Sequence, residues 1–301
     1  MTLNKWFEKW KTLSLVNAKV RTKKLYSYYF NHHIKNRLGK LKIERIREDD
    51  VQNFVLDMAK HYATSTINGC FRLVKTCLTD FYEKYDIKSI RFAKIKIPNV
   101  KIKQVDCFSI KEQKNIENCL NLNKSPKQIG ILLTLYTGLR LGELLALEWK
   151  NVELDKKLIH IKSSVYYSNA KFIYTTPKTK SSIREIPLPT FLVNILKEIK
   201  KLSKSNFVVA DKYGKAIIPR TYQYEFEMLL KKCGISHKGF HSLRHTFATR
   251  ALECGMDIKS LADILGHANP MITLKRYTHS MLEYKMQMMN KLGKIYQNNI
   301  D

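Results

Sequence analysis

The sequence predicts a mainly α-helical protein with a small antiparallel β-sheet, divided into a helical N-terminal domain and a mixed α/β C-terminal domain. Apolar residues recur at helical spacings of three and four through most of the chain. The segments that predict strands, which alternate or are β-branched, lie within residues 157–188. The length of 301 residues favours two domains, at roughly 150 residues each.

The first domain, residues 1–95, is predicted to be a bundle of four short helices. Each helix shows an apolar stripe or a start signal. The residues that carry these signals are Trp6, Phe7 and Trp10, then Leu25, Tyr28 and Tyr29, then Asp49, Asp50, Val51, Phe54 and Met58, and finally Thr64, Ile67, Phe71, Val74, Leu78 and Phe81. The acidic pair is expected in the first turn of its helix, because carboxylates are stabilised by the positive end of the helix dipole.

Three further segments complete the predicted organisation. Residues 96–105 are expected to link the domains, since their alternating Lys and Ile are too charged for a core and too few for a domain. Residues 106–280 form the second domain. Residues 281–301 form an amphipathic tail that we expect to pack in cis or against a partner chain.

The second domain is predicted to begin and end with helices and to carry a β-rich stretch between them. Its strands are expected at 157–163, 171–176 and 182–188. Gly266 is expected to stop a helix in the left-handed conformation. Asn269 and Pro270 are expected to start the next helix as its N-cap and first residue.

The chain is strongly basic, with 54 Lys and Arg against 26 Asp and Glu, a net charge of +28 and a pI near 9.8. The charge divides evenly, with +14 on residues 1–105 and +14 on residues 106–301. A folded protein this basic points to a polyanion, with nucleic acid ahead of an anionic membrane surface. No apolar run approaches the ~18 residues of a membrane span. Equal charge on both domains predicts a clamp that contacts the polyanion from two sides.

The six cysteines predict reduced thiols in a cytoplasmic protein. They are widely spaced and form no CxxC pair, unlike the dense disulfide frameworks of small secreted domains. Cys70 and Cys77 lie seven residues apart within an apolar helical pattern, so we expect both in the core. The charged N-terminus does not have the pattern of a signal peptide.

Groups that bind or transform phosphate are concentrated in the second domain. Taken singly, each has an ordinary structural explanation, such as an ion pair between Arg140 and Glu143 at i, i+3. His241 and His245 have the i, i+4 spacing of a metal pair, but Arg244 between them would repel a cation, so no metal is expected. The remaining candidates are His267 after a helix stop, Tyr277 ten residues later, and Lys178 in a tight turn between two strands.

The motifs TGLRLGELLAL (137–147), HSLRHTFAT (241–249) and LADILGHANPMITLKRYTH (261–279) together resemble those of the tyrosine recombinase, or phage integrase, family. The likeness covers essentially all of residues 106–280. By pattern, residues 1–95 resemble the SAM-like core-binding domain of this family, which binds DNA. The resemblance therefore implies a core-binding domain, a catalytic domain and a C-terminal tail exchanged between protomers.

The resemblance also implies a role for each candidate. The nucleophile would be Tyr277, which would form a covalent 3′-phosphotyrosine with DNA. The other implied residues are Arg140 and Arg244 as a clamp on the scissile phosphate, Lys178 in the family's hairpin as general acid, His241 and His267 completing the site, and Glu143 orienting Arg140. Which histidine handles the tyrosine proton stays open.

These residue types suit the reaction. Two arginine forks neutralise the charge that gathers on phosphate oxygens in the transition state. A phenol with a pKa near 10 attacks and later leaves, so the bond energy is conserved. A lysine can protonate the departing 5′ oxygen. The reaction then needs neither ATP nor metal, and we expect no cofactor.

The implied partners are double-stranded DNA recombination sites, a homotetramer on synapsed DNA, and an excisionase or other accessory protein, with no membrane. The implied location is the bacterial nucleoid. Two alternatives stay open: a type IB topoisomerase-like enzyme and an inactive DNA-binding protein of the same fold. The tail disfavours the first alternative, and the complete set of site residues disfavours the second.

Overall fold

The structure is a computed structural model that describes residues 1–98, 107–122, 125–175, 183–267 and 269–271, with 286, 289–290 and 292–293 near the C-terminus. The chain divides into two compact units, Met1–Gln104 and Val105–Asp301. It is mainly helical with small antiparallel sheets, which confirms the predicted fold class. None of the helices in these described ranges is long and apolar enough to cross a membrane.

The first unit is built on the predicted apolar stripes. Within residues 1–98 it forms α1 (Leu3–Leu13), α2 (Val20–Tyr29), α3 (Glu48–Ala59) and α4 (Thr64–Lys84). Trp6 and Trp10 of α1 are buried and tie this helix to α4. The indole Nε1 of Trp6 donates to the Cys77 carbonyl at 2.7 Å, and that of Trp10 donates to the Asp80 carboxylate at 2.5 Å. Cys70 and Cys77 are both buried, as predicted.

Helix α2 differs from its neighbours, because none of its residues is buried. Leu25 and Tyr28, which the sequence places on one side of the helix, are 44% and 51% exposed. A π-helical turn, Phe30–Ile34, continues α2. Its buried Phe30 stacks on the ring of Phe7 with 3.7 Å between ring centroids and anchors this segment in the core.

The end of the predicted first domain and the start of the predicted linker both pack on the first unit. Ile95 is buried and Ile97 packs at the edge of the same core. The Gln52 side chain donates to the Lys96 carbonyl at 3.0 Å and accepts from its backbone N–H at 2.8 Å. The isoleucines of the Lys/Ile alternation therefore extend the helical unit to about residue 97. Residues 99–106 lie outside the described residues.

The second unit surrounds one apolar helix. Its described helices are α5 (Ile110–Cys119), α6 (Ile129–Thr137), α7 (Leu141–Leu145), α8 (Thr190–Leu202), α9 (Pro219–Lys232), α10 (His241–Glu253) and α11 (Ile258–Leu265). Every residue of α6 except Tyr136 is buried, as expected of a helix that is apolar on all sides. Helix α10 packs directly on α6. The candidate arginines lie near the C-terminal end of α6.

The predicted strands are present, but they form two antiparallel ladders. One ladder has the order β1-β2-β5, and the other pairs β3 with β4. The strands are β1 (Val152–Glu153), β2 (Leu158–Ile161), β3 (Ser164–Ser168), β4 (Lys171–Thr175) and β5 (Arg184–Pro187). Strand β3 was not predicted, because its sequence SVYYS lacks a regular apolar alternation.

The segment that carries Lys178 connects the two ladders. Residues 176–182, including Lys178, lie outside the described residues. The described strands on either side pair with other strands, β4 with β3 and β5 with β2. In the described residues, β4 and β5 are therefore not the two directly paired arms of the expected hairpin.

Candidate active site

Arg140 follows a sharp turn at the end of α6, and Gly138 makes this turn. Gly138 has a φ of +65°, which places it in the left-handed region. A β-carbon at this position would lie 2.6 Å from Cδ1 of Phe247 and 2.7 Å from Cδ2 of Leu265. Any larger residue would therefore meet both backbone strain and a collision. The glycine turn makes Arg140 the residue immediately before α7.

Glu143 fixes the position of Arg140 through hydrogen bonds to its backbone and its side chain. Its carboxylate accepts the Arg140 backbone N–H at 3.0 Å and the Nη1 group at 2.7 Å. The other terminal nitrogen, Nη2, donates to the Gly266 carbonyl at 3.0 Å. Glu143 is 6% exposed, whereas the Arg140 side chain is 35% exposed. The guanidinium is therefore oriented by buried partners while part of it remains accessible to a ligand.

Arg244, on α10, is held even more tightly and is only 2% exposed. Its Nη1 donates to the Gly138 carbonyl at 2.6 Å, and its Nη2 donates to the Leu265 carbonyl at 2.7 Å. The same Nη2 lies 2.9 Å from Nε2 of His267. These contacts join the end of α6 to the end of α11 through a single side chain.

The C-terminal end of α11 presents three successive carbonyls to three arginines. Ile264 accepts from Nε of Arg184 at 2.5 Å, Leu265 accepts from Arg244, and Gly266 accepts from Arg140. The last carbonyls of a helix have no partner within the helix and form the negative end of its dipole. The end of α11 is therefore a natural acceptor for cations.

The two candidate histidines occupy different positions. His267 follows Gly266, whose φ of +63° ends α11 as the sequence predicts. The His267 backbone N–H donates to the Ala262 carbonyl at 2.9 Å, which holds the residue beside Arg244. His241 is the first residue of α10, one turn before Arg244, and it is exposed with its ring 4.5 Å from that of His245.

The described site thus brings together Arg140, Glu143, Arg244 and His267. His241 lies on the same helix as Arg244. Lys178 and Tyr277 fall outside the described residues. Within the part of the chain that the structure describes, no group of three or more His, Cys, Asp or Glu side chains could hold a metal ion.

Arg184 is a member of this cluster that the sequence analysis did not single out. It donates to both carboxylate oxygens of Glu143 as well as to Ile264. One signal could have identified it. In a strand, residues two apart share a face, so Arg184 lies on the same face as Ile186, which is buried. An arginine in register with core residues is expected to have specific buried partners.

Electrostatics keep Glu143 ionised. Burial alone would raise the pKa of this carboxyl group. The hydrogen bonds and charge of Arg184, together with the charge and backbone N–H of Arg140, outweigh burial and lower the pKa to about 2. Glu143 is therefore a permanent anion between two cations at any pH at which the protein works.

This low pKa predicts an acid-dependent loss of stability. A carboxyl group with a depressed pKa stabilises the fold fully above its unfolded pKa of 4.5 and progressively less as the pH falls towards about 2. The contribution amounts to about 3 kcal/mol. We expect the stability difference between wild type and Glu143→Gln, from urea unfolding, to be constant above pH 5. It should shrink by about 1.4 kcal/mol per pH unit below pH 4.

A matched control is Glu198→Gln, since Glu198 is 69% exposed and pairs on the surface with Lys201. Its stability difference from wild type should be small at every pH. A Glu143→Gln difference that does not change between pH 6 and pH 3 would contradict the low pKa.

Comparison with known proteins identifies the family of this chain. Residues 110–283 match the phage integrase family, and residues 2–59 match the phage integrase N-terminal SAM-like domain. The chain is 28% identical to a XerC-like tyrosine recombinase of Caldanaerobacter subterraneus, over 90% of this chain and 77% of the relative. It is 27% identical to the transposase from transposon Tn916 of Enterococcus faecalis, over 86% of this chain and 70% of the relative.

Solved structures share the fold. The chain is similar to the Tn1549 transposon integrase in complex with transposon right end DNA, with a TM-score of 0.82 and 24% identity over 97% of this chain and 100% of that one. It is also similar to a lambda integrase dimer bound to a COC′ core site, with a TM-score of 0.72 and 16% identity over 92% and 95% of the two chains.

Fold, site and relatives together define a tyrosine-type site-specific recombinase, an enzyme that cleaves and rejoins DNA. The chain belongs to the phage integrase family, and its partner is DNA.

Proposed function

We propose that this chain integrates and excises DNA through a covalent 3′-phosphotyrosine at Tyr277. The observation that carries the proposal is the anchoring of Arg140 and Arg244 to neighbouring carbonyls at the end of α11. Two guanidinium groups oriented in advance suit a phosphate whose negative charge grows in the transition state. Site residues assigned from the family motifs complete the reaction.

The proposed chemistry conserves phosphodiester bond energy. The Tyr277 oxygen attacks the scissile phosphorus as its proton passes to His241 or His267. The bond from phosphorus to the 5′ oxygen breaks, and Lys178 donates a proton to that oxygen. Attack by the 5′ hydroxyl of another strand then reverses these steps and frees the tyrosine. The exchange of one phosphate ester for another explains why no nucleotide cofactor is required.

We further propose that the enzyme acts as a homotetramer on synapsed double-stranded DNA. Exchange of residues 281–301 between protomers would couple the subunits, and an excisionase or other accessory protein would set direction. The bacterial nucleoid is the proposed site of action. The similarity to a transposon transposase supports a mobile element as substrate and does not favour the topoisomerase alternative.

A suicide-substrate experiment tests the function. Nicked duplexes tiled along the DNA that flanks the coding sequence would lose a short 5′-hydroxyl strand after cleavage, which prevents rejoining. We expect a detergent-stable protein–DNA adduct on one duplex, mapped by mass spectrometry to the peptide that contains Tyr277. The absence of an adduct on all of the duplexes would refute the proposal. Relaxation of supercoiled plasmid without strand exchange would favour a topoisomerase.

A further inference from the structure

Arg184 is a buried cation at the start of β5 whose surroundings differ from those of the residues on either side. Its side chain is 6% exposed, whereas Ile183 and the Glu185 side chain are 58% and 63% exposed. A buried charge is costly unless it is paired and hydrogen-bonded. The groups that pair with Arg184 therefore indicate the role of this side chain.

The guanidinium of Arg184 bridges two different elements. Its Nη2 donates to Oε2 of Glu143 at 2.9 Å, and its Nη1 donates to Oε1 at 3.2 Å. Its Nε donates to the Ile264 carbonyl at 2.5 Å. One rigid, planar group thus fixes the carboxylate of α7 and the last turn of α11 relative to each other.

Both of these partners lead directly to the phosphate-binding arginines. Glu143 also accepts from Arg140, with a distance of 2.7 Å from Oε1 to Nη1. The carbonyls that follow Ile264 accept hydrogen bonds from Arg244 and Arg140. A displacement of Arg184 would therefore be transmitted to both arginines through a single intervening residue or peptide group.

Packing at the end of α11 adds a steric link. A β-carbon on Gly266 would lie 2.9 Å from Nη1 of Arg184 and 3.1 Å from its Cδ. The glycine at this helix stop therefore also leaves room for the Arg184 side chain. The turn that carries His267 rests against Arg184.

We propose that Arg184 is a positioning residue for DNA cleavage, which orients Arg140 through Glu143 and fixes the turn that carries His267 through Ile264. This assignment rests on the proposed function of the site. Arg184 acts through other residues and does not itself contact the phosphate. Arginine is required here because a lysine ammonium cannot hold a carboxylate and a carbonyl in one rigid fork.

The alternative is a purely structural ion pair, and Arg250 provides a matched control for it. Arg250 is on α10, pairs with Glu253 and donates from Nη2 to the Phe108 carbonyl at 3.1 Å. It thus also bridges one carboxylate and one carbonyl in the second unit, but these are Glu253 and Phe108, whereas the partners of Arg184 are Glu143 and Ile264. Arg250→Lys should affect stability without a specific effect on cleavage.

The test compares wild type, Arg184→Lys and Arg250→Lys as full-length proteins on the nicked duplex that traps the adduct. Thermal unfolding first establishes a temperature at which all three are folded. At that temperature we measure the single-turnover cleavage rate and, separately, the Kd for the same duplex without a nick. We expect Arg184→Lys to cleave about 10- to 100-fold more slowly, the effect of a small misplacement of reacting groups, with a Kd within about twofold of wild type.

A double-mutant cycle tests whether Arg184 acts on cleavage through Glu143. If Arg184 acts mainly through Glu143, Arg184→Lys should slow cleavage much less in a Glu143→Gln background than in wild type. A folded Arg184→Lys that cleaves at the wild-type rate would overturn the proposal. An equal loss of cleavage rate in Arg184→Lys and Arg250→Lys would also overturn it. So would full additivity in the cycle. Wild-type protein that forms no adduct would instead refute the proposed function itself.

Discussion

Replacement of Tyr277 by Phe is expected to abolish the covalent protein–DNA adduct, with a fall in cleavage rate of about 10⁴-fold or more. Phenylalanine keeps the ring and removes only the oxygen that attacks phosphorus. Noncovalent DNA binding should remain, since we expect it to depend on the many basic groups of the chain. The measurement is adduct yield on the nicked duplex, with a parallel binding assay on an intact duplex.

The chain has 16 tyrosines, so the control must show that the effect is specific to one of them. Tyr213 is suitable, because it is 72% exposed and contacts the neighbouring Lys212, whose Nζ lies over its ring 4.8 Å from the centroid. Tyr213→Phe should form adduct at the wild-type rate. Adduct formation by Tyr277→Phe would show that another residue is the nucleophile.

Replacement of Arg244 by Lys should lower the cleavage rate by about 10²- to 10³-fold, although the charge is kept. The side chain bridges the Gly138 and Leu265 carbonyls at 2.6 and 2.7 Å and lies 2.9 Å from His267. A lysine has a single nitrogen, which cannot reproduce this spread of donors. The substitution would therefore remove the geometry of the phosphate clamp while it keeps the positive charge. Single-turnover cleavage on the nicked duplex is the measurement.

Because Arg244 is buried, its replacement also affects stability, and the two effects must be separated. Arg220→Lys is the control, since Arg220 is 74% exposed and pairs with Glu227 at 3.3 Å on the surface. Both variants should be assayed below their unfolding temperatures. A folded Arg244→Lys with the cleavage rate of Arg220→Lys would remove Arg244 from the clamp.

Local pattern was sufficient for the helices and for part of the site. The stripes in α1 and α4, the left-handed stop at Gly266 and the i, i+3 pair of Arg140 with Glu143 all depend on residues close together in sequence. Such features are set by helical periodicity, backbone sterics and short-range charge. These features can therefore be predicted without knowledge of the tertiary structure.

The features that were missed depend on distant partners. Arg184 donates to the Glu143 carboxylate and the Ile264 carbonyl, which are 41 and 80 residues away in sequence. No local pattern brings these two groups together. Strand β3 lacks a regular apolar alternation and depends on pairing with β4. Within the predicted linker, Ile97 packs at the edge of a core whose members are spread along the whole first unit, so no local pattern reveals this contact.

The three successive carbonyls at the end of α11 make this helix sensitive to length more than to composition. Main-chain carbonyl oxygens are present whatever side chain occupies Ile264 or Leu265. A substitution at either position therefore keeps these hydrogen-bond acceptors. An insertion or deletion of one residue within α11 would turn the helix end by about 100° and point all three acceptors away from their guanidinium partners. Among integrases built this way, indels in this helix should be far rarer than substitutions.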